Sequence, residues 1–143
     1  MNLILFGLVV ALLWAIAPLI HKYLLTHTNY KVIMLLSAVT YVIVMCIYSI
    51  VNYNDIFFQL KQINTKNIIL IIFVSLITLV IANIIYLSIL QNNNSYVVCA
   101  LTYSSPIFTL IFAYLFFKEK VTLLGLFGVI FVVIGIICLA FNN

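Results

Sequence analysis

Charge is confined to a few short places in this sequence, and that constrains the fold more than any motif. The charged side chains are Lys22, Lys31, Asp55, Lys61, Lys66, Lys118, Glu119 and Lys120, and none falls within residues 1–21, 32–54, 67–117 or 121–143. A membrane-crossing helix needs about 20 consecutive apolar residues. A lysine at its centre costs roughly 2.5–3.5 kcal/mol on insertion, whereas each Leu, Ile, Val or Phe favours insertion by roughly 0.3–0.6 kcal/mol. The longest uncharged stretch has room for two crossings, divided by the polar run Gln91-Asn92-Asn93-Asn94-Ser95. At 68% hydrophobic residues, the chain is neither disordered nor an ordinary soluble domain. The predicted fold class is all-α: an integral membrane bundle of five transmembrane helices. These form a single domain over residues 1–143, with spans at about 3–20, 30–51, 68–90, 96–117 and 122–141. The lipid bilayer is thus the first expected partner, and the localisation is a membrane crossed several times.

The net charge of +4 comes from lysine without arginine, spread over separate connections. That pattern suits contact with lipid headgroups rather than nucleic acid. Cys46, Cys99 and Cys138 lie inside predicted spans without C-x-x-C spacing and read as small apolar packing residues. No acid/base pair, metal cluster or nucleophile–base arrangement falls within the spans, so neither an enzyme nor a cofactor site is expected. His21 and His27 lie without a second ligand at metal spacing and are expected at the membrane edge.

Two prolines carry the functional signal. Proline lacks an N–H and deprives the carbonyl four residues back of its helical donor. Pro18 does this to Trp14, and Pro106 does it to Thr102 near the middle of the fourth span. Lipid cannot satisfy such a carbonyl, so the break must face protein or a water-lined cavity. Substrate sites of transporters are typically placed at interrupted helices near the midplane. Thr102, Ser105, Pro106 and Thr109 share a helical face and are candidate cavity residues, with Trp14 on the face of the first span that bears Pro18. The plainer readings are a packing kink at Pro106, a helix that ends at Pro18 and an interfacial role for Trp14. Tyr103 lies off the polar arc, toward a neighbouring helix. On the second span Tyr41 is too central for a headgroup belt and needs a partner for its hydroxyl. In the third, Ser75, Thr78, Ala82 and Tyr86 share a face with Asn83 at its border; an asparagine there is either interhelical glue or a solute contact. Gly125, Gly128 and Gly135 align on the last span as a helix-packing stripe. Between the second and third spans, the stretch from Asp55 to Ile63 has the pattern of a short amphipathic surface helix.

Tyr86, a polar turn, Pro106-Ile-Phe, the turn Lys118-Glu119-Lys120, and Gly128 with Gly135 follow one another in an order that resembles the EamA-like domain of the drug/metabolite transporter superfamily. Trp14, Pro18 and Lys22 look like that family's opening helix. The resemblance implies a fold of two inverted five-helix halves around a central cavity, of which this sequence supplies one half. It implies a carrier for a small metabolite or drug-like solute. A full pathway then requires a homodimer, with the second copy inverted in the membrane, or pairing with a homologous half. The small multidrug resistance proteins of the same superfamily pair inverted chains and carry a glycine pair like Gly128 and Gly135. Their first helix holds an essential glutamate, and residues 1–21 here have no carboxylate. The alternative function is a non-transporting membrane subunit or scaffold that packs through its glycine-striped last helix.

Overall fold

The structure, a computed structural model, describes residues 2–141. Among these residues the chain is helical with short connections and no strand. The elements are α1 (Leu3–Leu25), α2 (Tyr30–Val51), α3 (Tyr53–Gln62), α4 (Thr65–Ser75), a π-helical turn (Leu76–Ile81), α5 (Ala82–Asn92), α6 (Ser95–Thr102), α7 (Ser105–Phe117) and α8 (Leu123–Phe141). Four stretches are long and apolar enough to cross a membrane: Leu3–Leu25, Tyr30–Val51, Thr65–Asn92 and Ser95–Phe117. A fifth, shorter apolar helix runs over Leu123–Leu139. The chain is therefore an all-α membrane protein with four to five crossings.

Asparagine punctuates the helices. The Asn29 and Asn64 side chains accept from the N–H groups of Lys31 and Lys66, at 2.9 and 3.1 Å, and start α2 and α4. Both caps have extended backbone, the geometry that lets a side-chain oxygen reach an orphan donor of the first turn. Asn52 ends α2, its backbone N–H and its amide both donating to Tyr48 C=O at 3.0 Å. At the far end of α7, Lys118 takes a left-handed conformation, φ 52°, and Glu119 N–H closes on Ala113 C=O at 3.2 Å. A lysine replaces the glycine usual at such a cap.

The chain divides into two compact units, Met1–Leu19 with Asn92–Asn143, and Ile20–Gln91. In the first, α8 packs against α6 and more lightly against α7, and Val97 and Val98 of α6 are buried. In the second, Leu25, Ile33, Leu87 and Leu90 are the buried apolar side chains. Here Lys22 donates to Leu90 C=O at 2.9 Å and Gln91 C=O at 3.0 Å. These carbonyls lie in the last turn of α5, where helical donors run out and a positive charge is favoured. The short helix anticipated around Asp55 is α3, with Tyr53 stacked on Phe57 at 5.3 Å and Lys61 Nζ 4.4 Å from the Phe57 ring centre.

One boundary differs from the sequence reading in a way that matters. The first span does not end near residue 20; α1 runs through Pro18 to Leu25. His21 is therefore a helical, partly buried residue, not one beyond the end of the helix. Lys22→Met keeps the aliphatic stem and removes the ammonium from the end of α5. Thermal unfolding in detergent should show a loss of about 1–3 kcal/mol, the usual cost of deleting a charged donor from a part-buried carbonyl, here that of Leu90.

Candidate functional site

In the first unit the fourth span is broken. Its helix stops at Thr102, turns at Tyr103 and Ser104, and resumes at Ser105 with Pro106 in the first turn of α7. Pro106 brings no N–H to Thr102 C=O, and its ring crowds that carbonyl. Side chains bond the neighbouring carbonyls as well. Ser104 Oγ donates to Leu101 C=O at 2.6 Å, and Thr102 Oγ1 to Val98 C=O at 2.9 Å.

Tyr103, in the break, reaches the other proline's vacated carbonyl. Its hydroxyl donates to Trp14 C=O at 3.4 Å, and the Tyr103 and Trp14 rings lie parallel within 6° with centroids 6.4 Å apart. This offset stacking lies within the favourable range for aromatic pairs. The carbonyl that Pro18 leaves without a helical donor thus has a phenol within reach. Below the break, Ser105, Pro106 and Thr109 line an open groove of about 480 Å³ together with Ala113, Glu119, Lys120 and Gly125. Thr102 is not among its lining residues.

In the second unit, Tyr41 and Asn83 line one cavity of about 480 Å³ with His21, Ser37, Met34 and Leu87. Tyr86 is outside this lining, but its ring meets the His21 ring edge-on at 6.4 Å. The π-helical turn precedes Asn83, with Ala82 N–H closing on Ile77 C=O five residues back. The extra residue per turn shifts the register there, and Leu79, Val80 and Asn83 all border the cavity. Such turns occur frequently at functional sites.

A family model described as the EamA-like transporter family matches residues 1–141. The chain belongs to that family. It is a multi-pass membrane protein of a transporter family, and the resemblance read from Tyr86, Pro106, the Lys118–Lys120 turn and the glycines stands. No curated protein and no solved structure matches the chain.

For this EamA-like chain the sequence pointed to Trp14, Tyr41, Asn83, Tyr86, Thr102, Ser105, Pro106 and Thr109. The structure brings Tyr41 and Asn83 to one cavity and Ser105, Pro106 and Thr109 to one groove. It pairs Trp14 with Tyr103, and Tyr86 with His21. Two polar residues of that cavity, His21 and Ser37, lie outside the sequence candidates. The sequence places His21 at the membrane edge without a second metal ligand, whereas Ser37 shares its helix face with Tyr41 and is legible by that spacing. The ammonium of Lys22, on the face of the first span that bears Trp14 and Pro18, bonds the end of α5.

In the glycine stripe, Gly125 makes room for the Thr122 hydroxyl, which lies 3.2 Å from where a Cβ would stand, and donates its N–H to that oxygen at 3.1 Å. Around Gly128 and Gly135 nothing lies within 4 Å of a Cβ position.

Trp14 is the one tryptophan of the sequence, so its emission reports on the aromatic pair. Tyr103→Phe removes the hydroxyl and keeps the ring; it should cost at most about 1 kcal/mol in thermal unfolding and leave the emission near wild type. Tyr103→Ala also loses the stacking, worth about 0.5–1.5 kcal/mol more, and should shift the Trp14 emission.

Proposed function

We propose that the chain is a carrier for a small neutral or amphipathic solute, working by alternating access as a dimer. The single observation that supports this most is the break at Tyr103–Ser104 halfway along a span, beside a proline that cannot complete the helix. An irregular backbone at membrane depth is tolerated where it is covered by protein or lines a water-filled path. Interrupted helices of this kind hold solutes in transporters through the backbone groups they release. The side chains at hand favour uncharged cargo. Trp14, Thr102, Ser105, Pro106 and Thr109 in the first unit, and Tyr41, Asn83 and Tyr86 in the second, offer hydroxyl, amide and aromatic contacts without a fixed charge.

Two considerations support the dimer. A second copy of these spans, inserted in the inverted sense, pairs with them as the two inverted halves of the resembled fold do. The open surroundings of Gly128 and Gly135 leave space for another helix backbone to approach closely.

Reconstituted into liposomes, the protein should take up members of a panel of radiolabelled aromatic alcohols and other neutral amphipathic solutes. Pro106→Ala and Tyr86→Ala should each slow that uptake by about ten- to hundredfold, the usual penalty for misplacing a bound group by an ångström or so. Wild-type uptake in both variants would remove the basis for this reading.

A further inference from the structure

The connection between the second and third spans carries more structure than a turn needs. Its helix α3 has ten residues, about 15 Å at the usual rise, too short to cross a bilayer. None of those residues is buried. On a helical wheel Tyr53, Ile56, Phe57 and Leu60 share an arc of about 100°, and Tyr53, Phe57 and Leu60 are exposed. Asn54, Asp55, Gln59 and Gln62 take the rest of the surface, with Phe58 among them. A contiguous exposed apolar face rimmed by polar residues marks a contact surface. α3 joins the end of α2 to the start of α4, and both ends lie where a span leaves the bilayer. The surface next to this face is therefore the bilayer's own.

Along one edge of the face three side chains form a ladder. Tyr53 stacks on Phe57 with centroids 5.3 Å apart, and Lys61 Nζ stands 4.4 Å from the Phe57 ring centre. The ring holds the ammonium at the border of the apolar face. When such a face is immersed, that border lies at the level of the lipid headgroups. Lys66 is exposed in the first turn of α4, where the next span begins. Asp55, the one carboxylate between these spans, sits in the first turn of α3 and Lys61 in the last, so the positive charge gathers toward α4. We infer that α3 lies half-immersed in the membrane surface and that Lys61 and Lys66 bind the phosphates of anionic phospholipids there. Apolar area sets the depth of the helix, and the two ammonium groups select the headgroup. This inference stands apart from the carrier reading, because it concerns the lipid around the protein and needs no solute.

The test places the full chain, with Trp14→Phe and Leu60→Trp, in vesicles of equimolar phosphatidylcholine and phosphatidylglycerol. Bromine on the acyl chains of one lipid or the other quenches the tryptophan at 60, and the two efficiencies give the relative binding of each lipid beside α3. Both should quench, with phosphatidylglycerol preferred about five- to twentyfold at low salt, since each lysine at a charged surface contributes about fivefold. Lys61→Gln with Lys66→Gln should bring the preference close to one, with unchanged helix content by circular dichroism. Arginine at both positions should keep it. Lys31→Gln, at the other end of α2, removes an equal charge and should leave it unaltered. Quenching by neither lipid would mean that another protein or a second copy covers this face, and overturns the inference. A preference that survives in the double glutamine variant, or that falls as far in Lys31→Gln, overturns it as well.

Discussion

In the interior of a bilayer every backbone N–H and C=O needs a partner supplied by the protein itself. Continuous helix meets that demand within each segment, and most of this chain is continuous helix. Its departures are few, and side chains meet some of the carbonyls around them. Pro18 deprives Trp14 of a donor, and Tyr103 supplies one from another helix of the same unit. Pro106 breaks the fourth span, and Thr102 and Ser104 turn their hydroxyls onto nearby carbonyls. The last carbonyls of α5 take the ammonium of Lys22. Thr40, Ser49, Thr78 and Ser88 likewise turn their hydroxyls onto carbonyls three or four residues back.

The same constraint explains what could be read from the sequence. Lysine and carboxylate are so costly at membrane depth that their positions alone delimit the spans, and the helix ends fall within a few residues of those limits except at α1. The break near Pro106 was legible because proline acts through its own covalent structure. The reach of α1 was not, because whether a helix continues past Pro18 depends on what meets the Trp14 carbonyl, and that partner is almost ninety residues away in the chain. The π-helical turn at Leu76–Ile81 was also unreadable. Its residues are ordinary helix formers, with Thr78 bonding Val74 C=O as such side chains do in regular helix. The glycine stripe was visible as a pattern, yet the pattern could not say that Gly125 serves a local Thr122 contact whereas Gly128 and Gly135 are open.

Under the carrier reading proposed for this member of the EamA-like transporter family, these features have a common purpose. A carrier must hold solute where lipid normally allows only closed helix, so it has reason to keep breaks that a purely structural bundle would avoid. Little of each span is covered by the chain itself: no more than 11% of the most apolar window of any span is buried. Lipid can cover the apolar side chains, but lipid cannot serve released backbone groups. Water, solute or a second copy of the chain must meet them, and the break at Tyr103–Ser104 is the place where that need is sharpest.

Whether water reaches that break in a membrane is therefore the most direct question. Thr102→Cys and Phe108→Cys, each placed in a background with Cys46, Cys99 and Cys138 replaced by alanine, can be exposed in liposomes to a small membrane-impermeant thiol reagent. The account predicts that the cysteine at 102 is modified, and that the one at 108, on an exposed apolar side chain of the continuous helix beyond the proline, is protected. Equal protection at both positions would mean that the break faces acyl chains or sealed protein, and would contradict a solute path there.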